Sequence, residues 1–236
     1  MLRIFSTKYQ KIKETNMRQF IIPILSALCL AACNSDKSTD ALLIEVWNSD
    51  QGARTRMAEL TKAVTVEGHT ELIDSLIAEV EAVERIDLEN IAIIDSLLKD
   101  GLPANLTPQS YKTIWIVIDH ASLEKQEQYL PLIEEMSQRG LIGNDEYAIL
   151  YDRIAMKRNR PQRYGSQTIQ FGSPGAMNLY VFPVENPTIL DSLRASVGMS
   201  SMEEYLKQLT HTTGIKAEYI PAITVDQLNT MQKACK

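Results

Sequence analysis

The sequence predicts a mainly α protein: an antiparallel helical bundle with a small C-terminal β-hairpin (α+β minor). Three observations carry this prediction. Apolar residues recur at helical spacing from Thr70 to Leu98. Three helical segments with short connections follow between Thr107 and Ile154. Beyond Pro161 the pattern turns to extended runs around Gly172-Ser173-Pro174-Gly175.

In the first of these, Leu72, Leu76, Val80, Val83, Ile91, Ile94 and Leu98 fall on one stripe, with Asp87 its single polar member. Three- and four-residue spacing places such residues on one face of a helix. The stripe reads as one long amphipathic helix, or as two broken near Asp87, stopped by Gly101 and Pro103. Leu42 to Trp47, upstream, reads as the start of a helix or as a short strand. Thr107-Pro108-Gln109 supplies a capping residue and proline at the first helical position, so Tyr111 to His120 is expected to be a buried helix. Leu123 to Gln138 keeps a helical period, with Pro131 as a kink or a restart. Gly140 and Gly143 bracket a turn, after which Asn144 is expected to cap a helix carrying Ile149, Leu150 and Ile154. Three helices joined this tightly should pack antiparallel. Gln162 to Phe171 and Met177 to Pro183 are the hairpin arms, and short helices are expected over 189–197 and 201–209. From Lys216 onward the chain reads as a loose tail or a closing strand.

The start of the chain reads as a processing signal. Arg3, Lys8, Lys11, Lys13 and Arg18 precede a nearly continuous apolar run from Phe20 to Ala32. The run is shorter than the roughly 20 residues that a spanning helix needs. Met17 offers an alternative start. Leu30-Ala31-Ala32-Cys33 resembles a bacterial lipobox, which implies acylation of Cys33 and a lipid anchor. The expected organisation is a signal peptide over 1–32, a polar tether over 33–41, an N-terminal helical region over 42–101, a core helical domain with hairpin over 102–215, and a tail over 216–236. The expected location is the bacterial cell envelope, on the periplasmic side of the inner or outer membrane, with the outer membrane favoured.

Cleavage before Cys33 leaves 29 acidic against 19 basic residues, a net charge of −10. That balance argues against nucleic acid as a partner and against a basic membrane-binding face. Cys29 departs with the leader and Cys33 is acylated, so only Cys235 remains. No intrachain disulfide can form, and stability must come from a hydrophobic core.

The segments Trp115 to Ala121, Glu124 to Glu135, Tyr151-Asp152-Arg153 and Pro161-Gln162-Arg163-Tyr164-Gly165-Ser166-Gln167 resemble those of the DUF6624 family of uncharacterised bacterial proteins. Asp191, Arg194 and Gly198, followed by Glu204-Tyr205-Leu206, are similar to its later pattern. Ser166 stands where the family usually has threonine. The resemblance covers roughly 102–206 and implies no activity.

Read for chemistry, His120 ends an apolar helix beside Asp119, where it suits a general base oriented by a carboxylate. His120, Asp152 and Arg153 form the candidate catalytic set. Gln162, Tyr164, Gln167 and Arg194 form the candidate ligand-binding set, with Arg194 able to grip a carboxylate or phosphate. Each also has a structural reading: a helix cap for His120, a pinning network for the rest. No cofactor and no metal is expected. His69, His120 and His211 lie far apart, and His120 with Glu124 would still need Asp152 as a third ligand. The leading expectation is a lipid-anchored domain that binds a small polar or anionic, glycan or peptide ligand. The alternatives are a hydrolase or transferase with His120 as base, and a scaffold that docks a protein partner through the 70–98 helix.

Overall fold

The computed structural model describes residues 38–173 and 176–235. The leader, Cys33 and the Pro174-Gly175 turn lie outside these residues. The described chain is mainly helical with one small sheet, as the pattern predicts. The helices are α1 (Thr39–Thr65), α2 (Ile73–Leu97), α3 (Pro108–His120), α4 (Leu123–Gln138) and α5 (Asn144–Lys157). Strands β1 (Thr168–Ser173) and β2 (Ala176–Val181) follow. Then come α6 (Leu190–Ser196), α7 (Met202–Thr213), β3 (Lys216–Glu218) and α8 (Val225–Ala234). No described helix is long and apolar enough to cross a membrane.

Side-chain pairings fix the direction of each helix. Arg54 reaches Asp87 and Arg56 reaches Glu79, so numbering rises on α1 as it falls on α2. Asp40 accepts from Ser110 while Asp50 pairs with His120, so α3 runs the same way as α1. Both pairs join residues 70 apart, and the ten residues between them span about 15 Å on each helix. Ser137 donates to Asn144 and Arg158 donates to Glu127, which sets α4 against α5. Trp115 donates to the Glu146 carbonyl and Lys157 to the Ala121 carbonyl, so α5 runs the same way as α3 and the first five helices alternate in direction.

Several boundaries depart from the sequence reading in detail. Asp87 does not break α2, because Arg54 supplies its partner. Gly143, not Asn144, is the N-cap of α5, and Glu146 reaches back to the Gly143 amide. Asn144 instead accepts from Ser137 and ties the turn to α4. Pro131 is carried inside α4 without ending it. Leu42 to Trp47 is helical. The tail is neither loose nor only a strand: β3 pairs parallel with β2, and α8 follows with a Thr224–Gln227 capping box.

The main core gathers Leu43, Ile94, Ile114, Ile118, Ile133 and Leu150 from the first five helices. The α2 stripe buries Leu76, Val83, Ile91 and Ile94, the last two within this core, and Leu88, off the stripe, is the strongly exposed large apolar residue of α2. A smaller cluster of Phe171, Phe182 and Leu228 seats α8 against the sheet. Ile118 is fully buried in the last turn of α3. Ile118→Ala is expected to cost about 2–5 kcal/mol through lost transfer energy and the cavity it leaves. Urea unfolding monitored by circular dichroism measures this, and a loss below 1 kcal/mol would place Ile118 outside the cooperative core.

Candidate functional site

Three helices bring ionisable groups together where α3 ends. Asp50 comes from the middle of α1, Asp87 from α2 and His120 from the last turn of α3. His120 Nδ1 lies 2.9 Å from Asp50 Oδ1. Arg54, one turn beyond Asp50, donates through Nε to Asp50 at 3.4 Å and through its terminal nitrogen to Asp87 at 2.5 Å. Gln51 donates to the second Asp50 oxygen. Beside this group Arg153 donates to Asp119 at 2.8 Å, and Lys157 donates to the Ala121 carbonyl that closes α3. A lysine there satisfies an orphan carbonyl and complements the negative end of the helix.

The cluster is layered by exposure. Side-chain exposure is 1% for Asp50 and 2% for Asp119, but 23% for Arg54, 28% for Arg153 and 15% for His120. The two buried carboxylates stand behind, and cationic or ring N–H groups stand in front. Asp87, at 21%, is the carboxylate that shares the front.

Burial alone would raise the Asp50 carboxyl. The hydrogen bond and charge of His120, with the charge of Arg54 and the Gln51 amide, more than offset it and hold Asp50 below the ordinary aspartate range. Asp87 behaves oppositely: its burial outweighs the Arg54 guanidinium and pushes the carboxyl up. Burial and the neighbouring Arg153 lower the Lys157 ammonium, against the pull of Asp119 and Asp87.

The other predicted site residues form a separate, inward-facing network. Asp152 is fully buried and accepts from the amides of Arg163, Tyr164 and Ser166 and from the Ser166 hydroxyl. Burial pushes its carboxyl up, opposed by those donors. The His120 partner is thus Asp50, and Asp152 is spent on a loop. Gln162 donates to the Gln167 and Phe182 carbonyls and accepts from the Gln167 amide. Gln167 in turn donates to Ile149 O and Ser166 Oγ. Arg194 is 2% exposed, donates to the Tyr164, Gly165 and Ser200 carbonyls, and stacks on Tyr205. Tyr164 is buried edge-on to Tyr151. Gly165 holds φ near +68°, and a Cβ there would meet Met202 at 2.8 Å. The positive φ, with Met202, Leu190 and Val184 packed against this position, favours glycine at the turn.

Of the sequence-predicted residues, His120 and Arg153 flank the accessible cluster, and Asp152, Gln162, Tyr164, Gln167 and Arg194 build the loop network. Sequence reasoning missed Asp50, Arg54 and Lys157. The lone aspartate on the α2 stripe was the available signal, since a carboxylate at a core position requires a partner. Two surface clefts lie elsewhere. One of about 510 Å³ is bounded by Pro161, Pro183, Pro187, Pro221 and Val225, and a second of about 600 Å³ lies along Ile220, Ile223 and Met231. Their one ionisable lining residue is Asp226, whereas the His120 cluster gathers several ionisable side chains.

A family model described as a family of unknown function, DUF6624, matches residues 38–218. The chain belongs to DUF6624. The match begins at the N-terminus of α1 and ends with β3, so the DUF6624 unit includes the α1–α2 hairpin that supplies Asp50, Arg54 and Asp87. No curated protein and no solved structure matches the chain.

The Asp50 carboxyl links this cluster to stability. A folded value below the unfolded one of about 3.9 gives stability that is fully present above that pH and lost as pH falls through the folded value. Asp50→Asn removes this contribution. Its stability is expected to be lower than wild type at neutral pH and to fall less steeply between roughly pH 5 and 3. Urea midpoints across that range test it, and parallel wild-type and variant profiles would refute the linkage.

Proposed function

We propose that this DUF6624 protein is a lipid-anchored domain of the bacterial cell envelope that binds a small anionic or oxygen-rich ligand at the His120 cluster. The observation that carries this reading is the layering of charge. Asp50 and Asp119 are buried, while Arg54, Arg153 and His120 keep partial exposure in front of them. The buried acids hold the cations in place, and the cations offer donors to an incoming oxygen. The ligand class is a carboxylate, a phosphate or an acidic sugar.

A second reading rests on one further feature. Asp50 engages His120 Nδ1, and no described residue hydrogen-bonds Nε2. That is the arrangement of an oriented general base, with Asp50 as the orienting carboxylate. The protein then acts as a hydrolase or transferase, and Arg54 or Arg153 steadies developing negative charge.

Placement at a membrane follows from Leu30-Ala31-Ala32-Cys33. Two or more acyl chains on Cys33 anchor a polypeptide stably, and the net charge of −10 after cleavage provides no competing attraction to an anionic bilayer. Mass spectrometry of the protein from its native cell is expected to find a cleaved chain starting at a diacylglyceryl Cys33. Cys33→Ala is expected to move the protein into the soluble fraction; an uncleaved, unmodified leader defeats the anchor.

The ligand reading is tested with inorganic phosphate and N-acetylmuramic acid as probes, followed through the arginine Nε–Hε signals by NMR. Arg54 and Arg153 are expected to shift with dissociation constants of about 1 mM or below. Arg153→Gln is expected to weaken binding about tenfold, a loss of roughly 1.4 kcal/mol, while folding is retained. Arg194→Gln is expected to lower stability and leave probe affinity unchanged. Equal affinity in Arg153→Gln and wild type rejects the site.

A further inference from the structure

We infer that Asp50, Asp87 and His120 form a site for a first-row divalent metal ion, in which Arg54 acts as a resident counter-cation that the metal displaces. The inference deepens the ligand reading, because an ion held here would offer open coordination positions to an anionic group.

The ligand atoms are already gathered. One carboxylate oxygen from each aspartate and one ring nitrogen of His120 lie within 4.8 Å of one another. Atoms bonded to a common ion at about 2.0–2.2 Å, at angles between octahedral and tetrahedral, stand roughly 3–3.5 Å apart. The set must therefore close by no more than about 1–2 Å. Rotation of Asp87, the more exposed carboxylate, supplies that movement. Three separate helices contribute the groups, so the spacing is held by the packing of α1, α2 and α3 and not by one flexible loop.

A positive charge already occupies the position that an ion would take. The Arg54 guanidinium touches both Asp50 and Asp87, and no other described cation forms an ion pair with either aspartate except His120 itself. Arg54 is partly exposed on a long side chain, so it can leave for solvent as an ion arrives. Imidazole binds a metal ion only in its neutral form, so with His120 as a ligand Arg54 alone faces two carboxylates, and a divalent ion removes that deficit.

An independent observation points to a missing ligand. Asn90 is 4% exposed, and its Nδ2 has no hydrogen-bond partner. It lies three residues after Asp87 on the inward face of α2, and helical side chains lean towards the N-terminal end of their helix. The Asn90 amide is thus aimed over the turn that carries Asp87. A buried amide nitrogen without an acceptor costs about 1–3 kcal/mol. After a half-turn of the amide, Oδ1 would face that turn as a candidate further ligand, and an ion-bound water would otherwise accept from Nδ2. Imidazole with carboxylates favours Zn²⁺, Mn²⁺ or Fe²⁺ over the all-oxygen surroundings of Ca²⁺.

The test uses the full-length chain in detergent micelles with Cys235→Ser, which removes the exposed thiol as a competing ligand. Zn²⁺ and Mn²⁺ are titrated calorimetrically without any anionic probe. One equivalent is expected to bind. Asp87→Asn and His120→Gln are expected to weaken binding at least tenfold, with metal-free thermal unfolding read alongside. Arg54→Met is expected to strengthen binding about tenfold, a gain that a purely structural salt bridge does not produce. Absence of binding in both the Cys235→Ser chain and its Arg54→Met derivative overturns the inference, as does unaltered binding in Asp87→Asn. Because no anion is present, metal binding with no phosphate response rejects only the ligand reading. Phosphate binding with no metal uptake rejects only the metal site.

Discussion

The buried carboxylate of Asp50 governs the arrangement of the helical half of the protein. It sits at the middle of α1, almost wholly removed from water, and must be compensated by groups from elsewhere. His120 provides that compensation from α3, and Arg54 extends it to Asp87 on α2. A buried charge stripped of its partner costs about 3–5 kcal/mol. A register shift of one turn along any of these helices would separate the groups by about 5.4 Å. The polar contacts thus select one alignment among several that the apolar surfaces alone would tolerate. The Asp40 pairing with Thr107 and Ser110 repeats the constraint at the other end of α1.

A second buried carboxylate plays the same part for the remainder of the chain. Asp152 collects three amides and a hydroxyl from the 163–166 loop and so fastens the sheet module to α5. Arg194 holds the same loop from the opposite side through its carbonyls. The two acids differ in what surrounds them. Asp152 is enclosed by backbone donors and is inaccessible, whereas Asp50 is screened only by side chains that themselves reach solvent. That difference separates a structural carboxylate from one able to take part in binding.

Most of the helices were legible because their signals are local. Thr107-Pro108 and Ser201 with Glu204 are capping patterns, and the Leu76–Ile94 stripe has an unambiguous period. The strands were legible from the change in pattern after Pro161. The site was only half legible. His120 stood out as an ionisable group at the end of an apolar helix, but its partner lies 70 residues away in a segment whose own pattern is loose. No spacing rule reaches across that separation. Asp152 and Arg153 are adjacent in sequence yet point to different neighbours, one into the loop and one towards Asp119. Neighbours on a helix are about 100° apart around its axis, so adjacency argues against a shared face. α8 was missed because its ten residues carry few apolar side chains and it follows the turn at Pro221.

The parallel placement of α1 and α3 has a bearing on how the chain reaches its native state. Two parallel helices cannot be joined by a tight turn, and here the whole of α2 must lie between them. Closing a loop of about 70 residues carries an entropic penalty that grows with the logarithm of its length, so it is best met after part of that loop has collapsed. The α1–α2 hairpin, with its short connection, can assemble first and present Asp50, Arg54 and Asp87 as a preformed cradle. Arrival of the α3 terminus then completes the core and the ionic cluster in one step. The residues of the ionic cluster are thus also the latch that closes during folding.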